Sequence, residues 1–187
     1  MIEIVKSTIA GVRLLRPQVR SDPRGSFVKT LEADVFARHG LPTVYAEHYY
    51  SVSGKNVLRG LHFQLPPHHH DKLVTCIEGD VLDVVLDLRA GADCGRHEHF
   101  ELSGTRGDGV FVPAGCAHGF YVRSERAIVL YNVTTAYAPA HDTGIRWDSA
   151  GIAWPATAPV LSERDAALPP LSAFKTPFRR SDLTSPA

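Results

Sequence analysis

Between Val57 and Arg89 the chain reads VLRGLHFQLPPHHHDKLVTCIEGDVLDVVLDLR, and Arg59, His62 and Lys72 stand in otherwise apolar, strand-like surroundings. A guanidinium, an imidazole and an ammonium together suit proton transfer beside a bound anion. Arg59 and His62 are three residues apart, which strict strand alternation would place on opposite faces. Gly60 between them predicts a bulge, and one extra residue there would turn both toward the same side. The rival reading, in which Arg59 is a surface charge and His62 a hydrogen-bonded core histidine, stays open on these residues alone. Two other groups suggest metal. His68, His69 and His70 follow two prolines and read as a solvated loop, since adjacent side chains converge poorly on one ion. His97, His99 and Glu101 would share a strand face, a pattern that an exposed polar strand face also produces.

Composition narrows the classes. The 187 residues are 44% hydrophobic and 21% charged with zero net charge, which fits one globular domain and gives no bulk attraction to nucleic acid or an anionic membrane. An anionic ligand must therefore be met by a few placed cations. Cys76, Cys94 and Cys116 are odd in number and lack CxxC spacing, as expected of reduced thiols in a cytoplasmic protein. No apolar run approaches the roughly 20 residues of a spanning helix, and the opening MIEIVKSTIAG alternates like a strand.

The elements that must position these groups are mostly strands. Two are expected around the Ala10-Gly11 break, followed by the SDPRGSF turn that carries Arg24, and by further strand from Phe27 to Thr30. LEADVFARHG is the one convincing helix, with Leu31, Val35 and Phe36 at helical spacing and Gly40 as its stop. From Thr43 to Ser53 alternation puts Tyr45, Glu47, Tyr49 and Ser51 on one face. Strands follow over 72–78, 81–88, 97–102, 110–112, 119–122 and 127–135, with Gly and Pro turns and no crossover helices. That spacing predicts an antiparallel sandwich or barrel. Beyond Ala138 the sequence predicts loops, a helical turn after Ser162, a domain closing near 173, and a loosely held tail over 174–187.

The segment PAGCAHGF, residues 113–120, resembles the second motif of the cupin superfamily, in which a glycine turn delivers a histidine, here His118, into a jelly-roll barrel. GLHFQ, residues 60–64, supplies only His62 where metal-binding cupins carry a larger ligand set, so the resemblance implies a barrel without that metal shell. DPRGSF, SVSGKNVLRGLHFQLPP, DKLV, GDVLDVVLDLR, AHGF, YNVTTAY, WP and LSERD, in this order over about nine tenths of the chain, resemble the dTDP-4-dehydrorhamnose 3,5-epimerase family.

The resemblance implies a cupin-like jelly roll, mostly β, that epimerises a nucleotide-activated 4-keto-6-deoxyhexose without cofactor or metal. It also implies a homodimer that exchanges N-terminal strands. By the same resemblance His62 is the base, Asp165 its partner carboxylate, Tyr131 the acid, Lys72 the enolate-binding ammonium and His118 a second histidine of the site. Arg24 and Arg59 match phosphate-binding arginines, with Arg24 and Phe27 reaching in from the neighbouring protomer. Tyr137 matches the residue that stacks on the base, and Asp142 and Arg164 close the pocket. Asp83 and Asp87 read as structural. Glu47, Tyr49 and Lys29 depart from the usual glutamine, asparagine and glutamate at ligand-contacting positions. A Glu47 carboxylate near a diphosphate calls for an intervening cation such as Lys29 or Arg24, or else for hydrogen bonding to sugar hydroxyls. These departures leave open a single-centre epimerase or another nucleotide. A metal-dependent cupin oxygenase and a non-catalytic sugar-binding cupin are the rival classes.

Overall fold

The structure is a computed structural model, and it describes residues 1–179. In chain order the strands are β1 (Ile2–Lys6), β2 (Arg13–Pro17), β3 (Val19–Asp22), β4 (Gly25–Val28), β5 (Glu47–Gly54), β6 (Leu58–Gln64), β7 (Lys72–Glu78), β8 (Asp80–Asp87), β9 (His97–Ser103), β10 (Gly109–Val112), β11 (Cys116–Val122), β12 (Arg126–Val133) and β13 (Asp142–Gly144). Two short α-helices, α1 (Ala33–Arg38) and α2 (Glu163–Ala166), and a 3-10 turn at Leu171–Ala173 complete the described secondary structure.

The strands form two facing antiparallel sheets, one ordered β1-β2-β10-β7-β12-β5 and the other β13-β6-β11-β8-β9. Sheet neighbours far apart in sequence make this the expected cupin-like jelly-roll sandwich. One end of the interior is filled by Val74, Val110 and Val129 from the first sheet and Val81, Val85, Phe100 and Phe120 from the second. The outer face of each sheet is covered as well. Leu15, Leu73 and Phe111 pack under α1 through Val35 and Phe36, while Leu82, Val84, Leu86 and Phe63 are covered by Ile145, Ile152 and Phe178. β8 is therefore apolar on both faces, which explains the almost unbroken run VLDVVLDL.

β3 and β4 form a separate hairpin beside the sandwich, with Arg24 in its turn. α1 ends as expected, with Gly40 just past its cap at φ +65°. The β5 strand starts at Glu47 rather than Thr43, and Tyr45 packs against the cluster under α1. β13, three residues long, had no signal in the sequence pattern. The tail expected to be loose from Phe174 is docked over its described part: Phe174 and Phe178 pack edge-on against Phe63, Thr176 Oγ1 donates to the Leu88 carbonyl, and the Phe178 carbonyl accepts from Ala90 N–H. Two aromatic side chains that need burial account for the difference. Residues 180–187 of that expectation lie outside the described residues.

Candidate active site

Beside the packed interior cluster, and sharing Phe120 with it, both sheets line a cavity of about 460 Å³, within the range typical of small-ligand pockets. Its β6 wall is shaped by the bulge at Gly60. The β6–β11 pairing aligns His62 with His118 but Arg59 with Phe120, so β6 carries one extra residue across the bulge. Gly60 sits at φ +133°, and a Cβ there would stand 2.5 Å from the Gly119 Cα. The two strands come together through paired glycines, and no larger residue fits without moving one of them. In consequence Arg59 and His62 both line the cavity, as the bulge predicts.

His62 Nε2 lies 2.7 Å from Asp165 Oδ1. Asp165 reaches this place from α2, where its N–H donates to the Ser162 cap, and its Oδ2 accepts from the Gly60 N–H at 3.2 Å. Burial opposes its ionisation, but the hydrogen bond and charge of His62 and the Gly60 N–H outweigh burial and hold the carboxyl below its usual range. An ionised Asp165 fixes the histidine with its Nε2–H toward the carboxylate and leaves Nδ1 free to accept a proton. Directly across from His62 in the strand register, His118 makes a second pair, Nε2 to Asp83 Oδ2 at 2.7 Å, buried between the sheets. Asp83 thus orients a cavity residue, which corrects its reading as merely structural. Asp87, bonded to Arg89 through both carboxylate oxygens, is structural as expected.

The opposite sheet contributes Lys72, Tyr131 and the β5 residues. Lys72 on β7 is buried and donates from Nζ to the His62 carbonyl at 3.0 Å, bridging the sheets. Burial lowers its pKa to about 8, with Asp142 and Asp83 pulling upward and Arg164 downward. Tyr131 on β12 faces the cavity with its ring stacked on Tyr49, centroids 5.1 Å apart, and in T-shaped contact with His118 at 6.1 Å. Burial pushes its phenol well above the usual range, so it stays protonated. A proton acceptor on β6 and a proton donor on β12 therefore enter one cavity from different sheets, with an ammonium beside them.

The mouth is formed by Glu47, Tyr49, Tyr137, Asp142 and Arg164. Arg164 Nη2 and Asp142 Oδ2 pair at 2.7 Å. Glu47 Oε1 accepts from the Tyr137 N–H at 3.1 Å, tying down the segment that presents Tyr137. Neither expected cation attends Glu47 within this chain: Arg24 is paired with Asp22 in the β3–β4 turn and Lys29 with Glu32. Arg24, Phe27 and Lys29 all lie outside this cavity, exposed on or beside the hairpin. The other expected residues line it, except Asp165, which stands behind His62.

Sequence reasoning missed Gln64 and His70. Gln64 Oε1 accepts from Ala138 N–H at 2.6 Å, which turns its Nε2 toward the His68 carbonyl and His70 Nδ1. His70 is thereby drawn from the expected solvated loop into the cavity wall. Burial, and then the charge of Lys72, push its pKa down to about 3, so the ring is neutral. The signal was the proline pair and Gln64, which fold the loop inward. His97 and His99 sit on the edge strand β9 as polar surface, and among the described residues no three His, Cys, Asp or Glu side chains form a group able to hold a metal.

A sequence profile described as dTDP-4-dehydrorhamnose 3,5-epimerase matches residues 6–173. A protein of that name from Sinorhizobium fredii is 37% identical over 92% of this chain and 91% of its own length. A dTDP-4-dehydrorhamnose 3-epimerase from Streptomyces niveus is 38% identical over 84% and 78%. The crystal structure of the dTDP-6-deoxy-D-glucose-3,5-epimerase from Legionella pneumophila in complex with dTDP-4-keto-L-rhamnose superposes with a TM-score of 0.88 at 32% identity, covering 94% of this chain and 95% of that one. With the cavity, its two histidine–carboxylate pairs and its opposed tyrosine in place, this similarity along nearly the whole chain shows that the protein belongs to the dTDP-4-dehydrorhamnose 3,5-epimerase family.

Proposed function

We propose that this enzyme epimerises a nucleotide-diphosphate 4-keto-6-deoxyhexose at the carbons flanking its ketone, and that it acts on both carbons 3 and 5. The observation that carries the reading is the placement of Asp165-backed His62 and protonated Tyr131 on opposite sheets of one cavity, in a chain of this family. The C4 ketone acidifies the neighbouring C–H bonds. His62 takes such a proton at Nδ1, and the electron pair moves onto the ketone oxygen, where the Lys72 ammonium stabilises the enolate. Tyr131 then returns a proton to the carbon from the other face of the ring, which inverts that centre. The acid, the base and the cation are all side chains, so these steps require no cofactor. Arg59, on the cavity wall with Nε bonded to Ser53 Oγ, is the diphosphate's cation within this chain, and Tyr137 is the surface for the nucleobase.

The relatives carry both 3,5- and 3-epimerase names at nearly equal identity, so the carbons must be followed separately. NMR of dTDP-4-keto-6-deoxyglucose incubated with enzyme in heavy water is expected to show deuterium at carbons 3 and 5, both inverted. Deuterium at carbon 3 alone would make it a single-centre enzyme. Binding without any exchange would make it a sugar-binding cupin.

The working unit in this reading is a homodimer in which the β3–β4 hairpin brings Arg24 and Phe27 to the neighbour's cavity. Support comes from their position: Phe27 is 63% exposed and both residues lie outside the cavity of their own chain. Mixed dimers of Arg24→Ala and His62→Asn chains should regain one working site per heterodimer. Failure to regain activity would place Arg24 in its own cavity.

A further inference from the structure

We infer that Tyr49 is a positioning residue for proton return, holding the Tyr131 ring so that the enolate carbon is protonated with inversion and not with restoration of the original centre. The inference rests on the epimerase reading above and adds a residue to it. Tyr49 and Tyr131 face each other in the β5–β12 register, and their rings stack with centroids 5.1 Å apart and planes 21° from parallel. On another side the His118 ring meets Tyr131 edge-on at 6.1 Å. Tyr131 is thus held between two rings. His118 is locked by its bond to buried Asp83, whereas Tyr49 lies on edge strand β5, is 45% exposed and forms part of the cavity wall. Of the two supports, Tyr49 can be changed without disturbing the packed interior.

The chemistry makes the position of Tyr131 measurable. Once His62 has taken the proton, the enolate has two fates. The Tyr131 O–H can give its proton to the carbon from the opposite face, the enolate electron pair forming the new C–H bond and a phenolate remaining to be reprotonated by water. Alternatively the His62 imidazolium returns a proton to the face it came from. In heavy water the first fate yields deuterated, inverted product, and the second yields deuterated, unchanged substrate once the imidazolium proton has exchanged. A tyrosine ring free to turn is a poorer donor, so loss of its stacking partner moves the ratio toward the second. Burial, followed by the charges of Glu47 and Asp142, pushes the Tyr49 phenol up to about 12. It therefore stays protonated, as the Tyr131 phenol does, and adds no charge to the cavity.

The test uses the intact protein with dTDP-4-keto-6-deoxyglucose in heavy water, with deuterium counted by NMR in recovered substrate and in inverted product. Tyr49→Leu should raise the ratio of exchange to inversion by about three- to tenfold, the factor matching the energy of one aromatic pair, with KM changed less than kcat. Tyr49→Phe keeps the ring and should stay within about twofold of the wild type. An unchanged ratio in Tyr49→Leu would overturn the inference. So would a Tyr49→Phe variant as impaired as Tyr49→Leu, because the Tyr49 hydroxyl would then be the donor. If the wild type itself placed no deuterium in either pool, the epimerase reading would fail, and this assignment with it.

Discussion

Two histidine–carboxylate pairs stand side by side on neighbouring strands, with the same 2.7 Å Nε2 to carboxylate distance, yet their surroundings differ. The His62 side chain is 28% exposed and its partner is mounted on a short helix; the His118 side chain is 4% exposed and its partner sits on β8, an interior strand of its sheet. In the proposed reaction the base must meet substrate and change its protonation at every turnover, which requires access. The other pair is packed between the sheets, its imidazole 4% exposed and held from behind by a carboxylate with no exposure at all. Geometry alone therefore does not separate a working histidine from a supporting one. Access does.

The sharpest break of this comparison removes the accessible imidazole. His62→Asn keeps polarity and approximate size but loses basicity, and deuterium uptake into the sugar should fall by about 10²- to 10⁴-fold, the worth of a positioned general base. Ligand binding and thermal unfolding should change little. Exchange near the wild-type rate in His62→Asn would move the base elsewhere, with His118 the first candidate.

Exchanging the carboxylates divides the pairs differently. Asp165→Asn removes one hydrogen bond to a group that becomes charged during turnover, worth about 1.5–3 kcal/mol, so kcat should drop roughly 10- to 100-fold while the folded state persists. Asp83→Asn acts on the sealed pair, where Asp83 is fully buried with Oδ1 lacking a hydrogen-bond partner. Its main effect should be on folding, in the range of about 1–3 kcal/mol for a disturbed buried polar contact. Denaturant midpoints and kcat measured on both variants check the division. Equal kcat losses with equal stability losses would mean that the two pairs do the same job.

The pairs also differ in how far the sequence reveals them. Glycine inside a strand pattern makes the Gly60 bulge legible, and with it the shared face of Arg59 and His62. The alternation that puts Glu47, Tyr49 and Ser51 on one face is legible because a strand sends every second side chain to the same side. Asp165 is not legible from local pattern, since its bond to His62 spans 103 positions, and only family resemblance places it. Asp83 reads as structural in the sequence because an aspartate on an apolar strand shows its burial but not which histidine it faces. His70 was hidden by its loop, whose course depends on Gln64 holding segments from both sides. The docking of 174–178 went unseen because Phe174 and Phe178 carry no periodicity, while the sheet face that receives them is contributed by β6 and its neighbours.

Lys72 lies beside both pairs and provides a pH test. In the proposed reaction its ammonium would stabilise the enolate only while protonated, so activity should decline on the alkaline side with an apparent pKa near 8. Asp83 is one of the charges that raise this value. Asp83→Asn should therefore move the alkaline limb to lower pH, whereas Ser162→Ala, which changes no charge, should leave it in place. The folding consequence has the opposite sign. Between about 8 and the ordinary lysine value of 10.5 the unfolded chain binds more protons than the folded one, so stability attributable to Lys72 rises with pH across that window. A pH profile with an unmoved limb in Asp83→Asn would separate Lys72 from the sealed pair.

The smallest expected effect concerns how the accessible pair is held. Asp165 owes its position to a helix of one turn whose first residues are capped by Ser162, with Asp165 N–H donating to Ser162 Oγ at 3.0 Å. Loss of such a cap costs about 1 kcal/mol, and the short α2 has few other contacts to absorb it. The Asp165 carboxylate, however, is also held from the front, by His62 at Oδ1 and the Gly60 N–H at Oδ2. Ser162→Ala should therefore lower stability by about that amount and reduce kcat only by a few-fold, far less than Asp165→Asn, because the carboxylate keeps two of its partners. Asp83 and His118, fixed by strands, should show no change in their environment, which histidine NMR shifts would report. If Ser162→Ala instead lost as much kcat as Asp165→Asn without losing stability, the exact placement of the carboxylate, and not its charge, would be what the accessible pair needs, and the cap would belong to the machinery of the base.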